Sequence, residues 1–358
     1  DRERVEKTPG THDDPLRLIQ SLPGVSMTPE YSPTAGSLSI RGALPGESRV
    51  LFDGVELPYL YHFQQYASVI HTRMLDRLSV YPSGFGVTYG ESIGGVVAVS
   101  SRSPDPERVH GGMNINAIMA GGYVQAPAGD SGLSASGRRS FMDAFESGND
   151  QYTLWPAFWD YLGRYEWSGP AGGRVAVTSI GAGDVYGRYA GDTEALDQVE
   201  QSENPEVVYD RGFHGLIAQH SLTRGRLATE SVVGLVRDDW TVGLSTADQS
   251  RVEQALTLRN SSAITLWKEH SLHLGAETRL EWLDRQAATD RSWPELTLEA
   301  PLLARGVAVD ERLSTALVGT WVEPRLVFGD LRLQPGLRLS GDTGTGEWVP
   351  EPRLIGRA

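Results

Sequence analysis

The feature that most constrains this 358-residue chain is a strict two-residue alternation sustained over long runs. Along Ser271–Asp284, Leu272, Leu274, Ala276, Leu280 and Trp282 share one face, while His273, Glu277, Arg279 and Glu281 share the other. Leu331, Leu333, Leu337 and Leu339 alternate in the same way with Arg332, Gln334 and Arg338, as do Val252, Leu256 and Leu258 with Glu253, Thr257 and Arg259. A period of two gives a β-strand one apolar and one polar face. The strands predicted on this basis run about 12 to 18 residues, far beyond the soluble mode of about five or six.

The predicted connections alternate in length. Short turns fall near Pro127–Asp130, Gly169–Gly173, Arg224–Gly225, Glu269–His270 and Gly329–Asp330. Longer ones fall near Glu146–Pro156, Ala190–Pro205, Val242–Ser250, Arg285–Asp310 and Gly341–Gly346. A soluble sandwich or barrel would also alternate, with its apolar residues inside. Strand length, loop asymmetry and tryptophans near strand ends favour the inverse arrangement, a membrane β-barrel with apolar residues outward. No stretch approaches 18 consecutive apolar residues, so no transmembrane helix is predicted. The net charge of −14 argues against nucleic acid as a partner. With no cysteine, there is neither a disulfide framework nor a thiolate metal site or nucleophile. Asp1 opens no signal peptide, and the charged start suits a mature or truncated chain.

The first third has a different texture, and all nine tryptophans follow residue 150. We place a boundary near Pro104–Pro106. Asp13 or Asp14 can cap a helix with Pro15 at its first position and Leu16, Leu18, Ile19 and Leu22 on one face, ended by Pro23-Gly24. Short strands follow at Ser37–Arg41, Arg49–Phe52, Arg77–Tyr81 and Gly95–Ser100, with a tight turn at Asp53-Gly54.

These pieces, in order, resemble the plug domain of TonB-dependent outer-membrane receptors. The matching residues are Asp14-Pro15-Leu16-Arg17 through Leu22-Pro23-Gly24-Val25, then Leu38-Ser39-Ile40-Arg41-Gly42 and Val50-Leu51-Phe52-Asp53-Gly54-Val55. Tyr81-Pro82-Ser83-Gly84-Phe85, Tyr89-Gly90-Glu91 and Gly94-Gly95-Val96-Val97-Ala98-Val99 complete the run. The later part, including Arg138-Arg139-Ser140-Phe141, looks like the start of the family's barrel. The expected fold is therefore mainly β: a small α+β plug domain at residues 1–106, then antiparallel transmembrane strands at 107–358. The family implies 22 strands, whereas the 252 residues from 107 onward suffice for about 11 or 12 of that length. The expectation is about half of a barrel, whose open edges other strands of the same or another chain must close.

The resemblance implies an outer-membrane receptor that takes up a scarce solute (a siderophore-like chelate, vitamin, glycan or peptide) with energy from a TonB-ExbB-ExbD complex, among outer-membrane lipid and lipopolysaccharide. It implies no enzymatic chemistry, no cofactor and no metal held by the chain. Asp1–Gly10 shows no clear TonB box, the family's coupling segment, so resemblance alone carries TonB coupling. The alternative is a structural or assembly component that keeps the plugged-barrel design without transport.

Tyr59, Tyr61, His62, Phe63 and Tyr66 crowd into eight positions. In the resembling family this stretch includes a plug loop rising toward the outside, where aromatics with polar tips can contact a ligand; the alternative is packing against the wall. An arginine at the place of Arg41 pairs in the family with barrel glutamates, for which Glu230, Glu277 and Glu281 are the candidates; the alternative is a solvated arginine. Gly90-Glu91-Ser92-Ile93-Gly94 fits the G-x-S-x-G pattern, but the segment after it reads as a strand where a nucleophile needs a helix. The histidines, among them His214, His220, His270 and His273, lack zinc spacing. Asn260-Ser261-Ser262 is a sequon by pattern only. The acidic run Asp192–Glu203 reads as a solvated loop or a cation-attracting one.

Overall fold

The computed structural model describes residues 14, 16–20, 22–27, 38–44, 47–62, 67–142, 152–154, 157–169, 172–190, 206–244, 247–289 and 308–357. Near the N-terminus Asp14 accepts the Leu16 N–H at 3.0 Å and precedes the short helix α1 (Arg17–Gln20). Leu16 and Ile19 are fully buried. After Pro23-Gly24, β1 (Val25–Met27) pairs antiparallel with β2 (Leu38–Ile40).

A four-stranded sheet follows, built from β3 (Ser48–Phe52), β4 (Val55–Glu56), β5 (Leu75–Tyr81) and β6 (Gly95–Ser101) in the order β4-β3-β6-β5. The pair β3/β6 is parallel. Asp53 and Gly54, at φ +49° and +84°, form the two-residue turn between β3 and β4, a turn that needs left-handed backbone at both positions. Val97 and Val99 of the buried middle strand β6 join Phe52 and Val50 of β3 in the apolar core.

The rest of the chain is one large antiparallel sheet. Its strands are β7 (His110–Ile115), β8 (Met119–Ala128), β9 (Ser131–Ser140), β10 (Tyr152–Leu154), β11 (Ala157–Ser168), β12 (Gly173–Ala190) and β13 (Glu206–Arg224). It continues through β14 (Leu227–Leu244), β15 (Ala247–Thr265), β16 (Ser271–Thr289), β17 (Val309–Phe328), β18 (Leu331–Asp342) and β19 (Glu347–Arg357). Twelve pair in sequence order from β7 to β19, and the short β10 pairs with β12 off that path.

The sheet is inside-out relative to a soluble protein. In β9 the buried positions include Ser134, Ser136, Arg138 and Ser140, while Leu133 is 49% exposed. In β11 Asp160, Arg164 and Glu166 are buried and Tyr165 and Trp167 exposed. On β16 the outward apolar run from Leu272 to Trp282 gives way to Asp284 and Gln286. Ten residues at about 3.3 Å each, tilted about 40°, span about 25 Å, the height of the apolar band on an outer-membrane barrel.

Short turns close one rim, at Gly129-Asp130, Gly225-Arg226, Lys268-Glu269 and Gly329-Asp330. On the other rim one predicted loop is corrected: Val242–Ser250 is almost wholly strand, with Leu244 paired to Ala247. The connection predicted at 341–346 falls at residues 343–346, between β18 and β19. β16 also runs on to Thr289. Polar, Ser/Thr/Asp-rich sequence reads as loop, but the wetted rim of a long-stranded wall tolerates those residues in strands. Most of the predicted loops at 146–156, 190–205 and 285–310, with the acidic run 192–203, lies outside the described residues.

The small unit sits against the inner face of this wall. One apolar core joins Tyr59, Leu60 and Val69 of the small unit to Leu162, Ile180, Phe213, Ile217 and Val236 of the wall. No helix among the described residues is long and apolar enough to cross a membrane.

Candidate functional site: the seam between the small unit and the wall

Parity places charged side chains of the long strands on the concave face, where they meet the small unit. Arg49 at the start of β3 is buried, with Nε 2.9 Å from Glu56 and Nη1 3.4 Å from Glu277 of β16. Glu277 also receives Arg259 of β15 at 2.6 Å and Arg338 of β18 at 2.8 Å. Glu56 in turn meets Arg279 of β16 at 2.5 Å. Glu91 stands 3.9 Å from Arg49 and 3.8 Å from Arg338.

From this hub the contacts continue round the wall. Arg279 reaches Glu281 at 2.8 Å and Glu253 at 3.7 Å. Arg251 bridges Glu253 and Asp238, and Asp238 binds Arg211 of β13. In the other direction Arg338 approaches Glu351, which pairs with Arg353 of β19. Arg353 donates to the carbonyls of Gly86 and Tyr89 at 2.9 and 2.6 Å. The connected set holds seven guanidinium and seven carboxylate groups, so the seam is neutral. Balance of this kind is what makes burial of so many charges tolerable.

Two further knots lie on the β9–β12 side. His62 is fully buried, its Nδ1 3.0 Å from Asp184 of β12 and its Nε2 3.2 Å from Asp160 of β11. Burial alone would lower its proton affinity, but Asp184 and Asp160 outweigh it and raise the pKa to about 9. The ring therefore carries a charge and donates from both nitrogens, while stacking on Phe158 at 4.4 Å. Arg138 of β9 holds Asp160 at 2.9 Å and donates to the Ser68 carbonyl. Asp14 takes both the N–H and the hydroxyl of Ser68. In the second knot Asp53 accepts from Ser101 and from Arg164 of β11. Burial raises the pKa of Asp53 despite the opposing Ser101 bonds and Arg164.

Close approach at the seam is made by glycines. A Cβ on Gly90 or Gly319 would overlap the Arg338 guanidinium, which is fully buried under the Trp321 ring.

A small unit filling the concave face of a long-stranded wall, tied to it by charges, is the geometry against which sequence comparison is decisive. Residues 1–96 match the family model described as TonB-dependent Receptor Plug Domain. These residues are a TonB-dependent receptor plug domain.

The fold of the whole chain is that of plug plus barrel strands. It superposes on the outer membrane transporter YddB from Escherichia coli with a TM-score of 0.68 at 13% identity, over 99% of this chain and 57% of that one. A variant of the ferric enterobactin receptor PfeA from Pseudomonas aeruginosa gives 0.69 at 15% identity, over 99% and 58%. The siderophore receptor PirA from the same organism gives 0.63 at 16%, over 100% and 58%. The chain thus spans less than three-fifths of the length of these structures. No curated protein matches it in sequence.

The residues singled out from sequence fall as follows. Tyr59 is 3% exposed, edge-on to Phe213 at 5.1 Å and beneath Arg211 at 4.4 Å. Tyr61 donates to the Leu16 carbonyl. Tyr59 and His62 are thus buried against the wall, and Tyr61 within the plug. Phe63 and Tyr66 lie outside the described residues.

Arg41 does not meet Glu230, Glu277 or Glu281. It is exposed at φ +60°, and its guanidinium lies 3.4 Å from the Pro82 carbonyl. The left-handed backbone at the end of β2 turns its side chain along the plug surface. The plug arginine that engages Glu277 is Arg49, eight positions on. Glu281 does join the network, through Arg279, whereas Glu230 is exposed at the rim of a cavity. Arg49, Glu56, Glu91, Asp160 and Asp184 were missed. For the wall residues the available signal was parity, which already put Glu277, Arg279, Arg259 and Arg338 on polar faces.

Ser92 donates to the Gly95 and Glu47 carbonyls and is followed by β6, so the G-x-S-x-G segment lacks the strand–turn–helix setting. Gly90 and Glu91 of that segment serve the seam. His214 lies on the outer face, where Nδ1 meets the Tyr161 hydroxyl at 2.9 Å and the ring stacks on Trp159.

Proposed function

We propose that the protein is an outer-membrane receptor that takes up a scarce solute past its plug, energised by TonB-ExbB-ExbD from the inner membrane. The observation that carries this reading is the plug held in the concave face of an inside-out wall by a charge-balanced network of ion pairs and hydrogen bonds beside a shared apolar core. An apolar seam of equal area would make a permanent joint. Charged groups rehydrate when separated, so such a seam can be opened by pulling and closed again. The superposed proteins include an outer membrane transporter and a siderophore receptor, which supports the same reading; the solute stays within the broad class of scarce nutrients given above.

In this proposal residues 1–106 form the plug and 107–358 barrel strands in outer-membrane lipid and lipopolysaccharide. Tyr59, Tyr61 and His62 become available to a solute only when the plug shifts, since they are wall or core contacts in this arrangement. Arg49, Glu56 and Glu91 take the anchoring role first assigned to Arg41. β7 and β19 are the edges of the described sheet and carry outward apolar residues such as Met113 and Leu354, 88% and 72% exposed. Unpaired edges are very costly in lipid, so further strands, from the same polypeptide or another, close the wall.

Capture of the intact protein from outer-membrane extracts by an immobilised TonB C-terminal domain tests the reading. Retention supports energised transport. Failure to bind, in a protein that is folded and in the outer membrane, overturns it in favour of a non-transporting assembly role.

A further inference from the structure

The inner face of β13–β16 carries two cavities separated by a single plug hairpin. The larger, about 890 Å³, lies at the short-turn end, where Gly54, Glu230, Val232, Arg259 and Ser261 line it. The smaller, about 140 Å³, lies nearer the opposite rim, against Glu56, Val236, Asp238, Glu253, Ala255 and Arg279. Along β14 the lining passes from Val232 to Val236, along β15 from Arg259 to Ala255, and along the plug from Gly54 to Glu56. The inward-facing residues skipped are Gly234, Thr257 and, on the plug, Val55.

These three residues close the gap together. Gly234 pairs with Thr257, and Thr257 with Arg279, in one row across the wall. Val55 is 1% exposed and seated on the bare backbone of Gly234, where an added Cβ would overlap its Cγ2. The contact is apolar, while both cavities beyond it are lined by guanidinium and carboxylate groups.

We propose that Val55 on Gly234 is the gate of a hydrophilic solute path along β14–β15, opened by displacement of the β3–β4 hairpin tip alone. The inference deepens the transport reading above and rests on it. Two ionic ties flank the tip, Arg279–Glu56 on one side and Arg164–Asp53 on the other. A pull on the plug that breaks these two joins the cavities, while the Glu277 hub and the His62 knot stay closed.

The test uses the full protein in planar bilayers bathed in potassium chloride. Wild type is expected to hold its closed baseline and Val55→Gly to show discrete openings. Val87→Gly is the matched control: Val87 is seated on Gly336 of β18 in the same manner, and neither residue lines the two cavities. It should stay silent. The chain has no native cysteine, so Val55→Cys with Gly234→Cys forms a unique pair. The added Gly234 Cβ would stand 3.1 Å from the Val55 Cβ, and a shift of a few tenths of an ångström brings the pair into the disulfide range of about 3.5–4.5 Å. Carried together with Glu56→Gln, which cuts the Arg279 tie, the pair should be silent when oxidised and open when reduced, because the disulfide then stands in for the lost tie.

Silence of folded Val55→Gly, equal openings in Val87→Gly, or redox-independent behaviour of the pair overturns the gate. If Val55→Gly fails to fold, the cysteine pair decides alone. TonB capture of the wild type does not depend on Val55, so capture combined with a silent Val55→Gly removes the gate and leaves the transport reading standing.

Discussion

His62 and His71 lie nine positions apart on the same plug segment and hold opposite charge states. Around His71 burial and then Arg138 push the pKa down to about 4, and its neutral Nδ1 accepts the Arg73 N–H at 3.1 Å. Around His62 the two carboxylates win. A histidine whose folded pKa is raised contributes stability fully present below its ordinary value of about 6.5 and lost as pH climbs through the folded value. Amide protection over residues 57–62, taken relative to the base-catalysed intrinsic rate, should therefore fall with a midpoint near pH 9, and His62→Gln should abolish that step. A flat profile in wild type between pH 7 and 10 would contradict the assignment. At the hub, Glu277→Gln leaves Arg49, Arg259 and Arg338 short of their shared counter-charge. Removing one partner of a buried pair costs about 3–5 kcal/mol, and thermal unfolding of the variant should show a loss of that order. A loss below about 1 kcal/mol would mean that water compensates the three arginines.

At the scale of elements, the long strands turn an apolar face outward, which the proposed function sets against lipid, and a polar face toward the plug. Ala276 stands midway along the outward band of β16, between Leu274 and Trp282, and next to inward Glu277. Ala276→Arg should cost about 2–4 kcal/mol by unfolding in lipid vesicles, the range for a cation at the midplane of such a barrel. The same substitution at Thr241, exposed on β14 above the band, should cost under about 1 kcal/mol. Equal costs at the two sites would place the bilayer elsewhere. The hairpin β3–β4 shows how element and site join: a turn with two left-handed residues delivers Val55 and Glu56 to the wall, one apolar and one ionic.

Across the whole molecule, the proposed function makes the plug the stopper of a polar lumen. Deleting residues 1–106 should convert a silent protein into an ion-conducting pore in planar bilayers. A deletion variant that inserts as barrel yet shows no conductance change would refute the stopper role. The joint is distributed over β9 to β19, so no single substitution at the seam should mimic that deletion in full, and conductance steps of seam variants should all be smaller than the pore of the plug-less wall.

The local code was legible because it is periodic. Two-residue alternation marked the strands and their polar faces, Asp53-Gly54 marked the hairpin turn, and the ordered pieces from Asp14 to Val99 marked the plug, all features fixed by neighbours a few positions away. The loop at 242–250 was misread because the same polar residues suit a coil in water and a strand at the wetted rim of a wall. The pairing partners were beyond reach altogether. Whether Arg41 or Arg49 finds Glu277 depends on a left-handed turn at one and on a register that brings residues 228 positions apart to 3.4 Å at the other. Sequence alone thus determined which faces are greasy and which charged, through backbone geometry; only the closing of wall round plug decided which charges neutralise which, because that choice is set by distances the chain acquires when it folds.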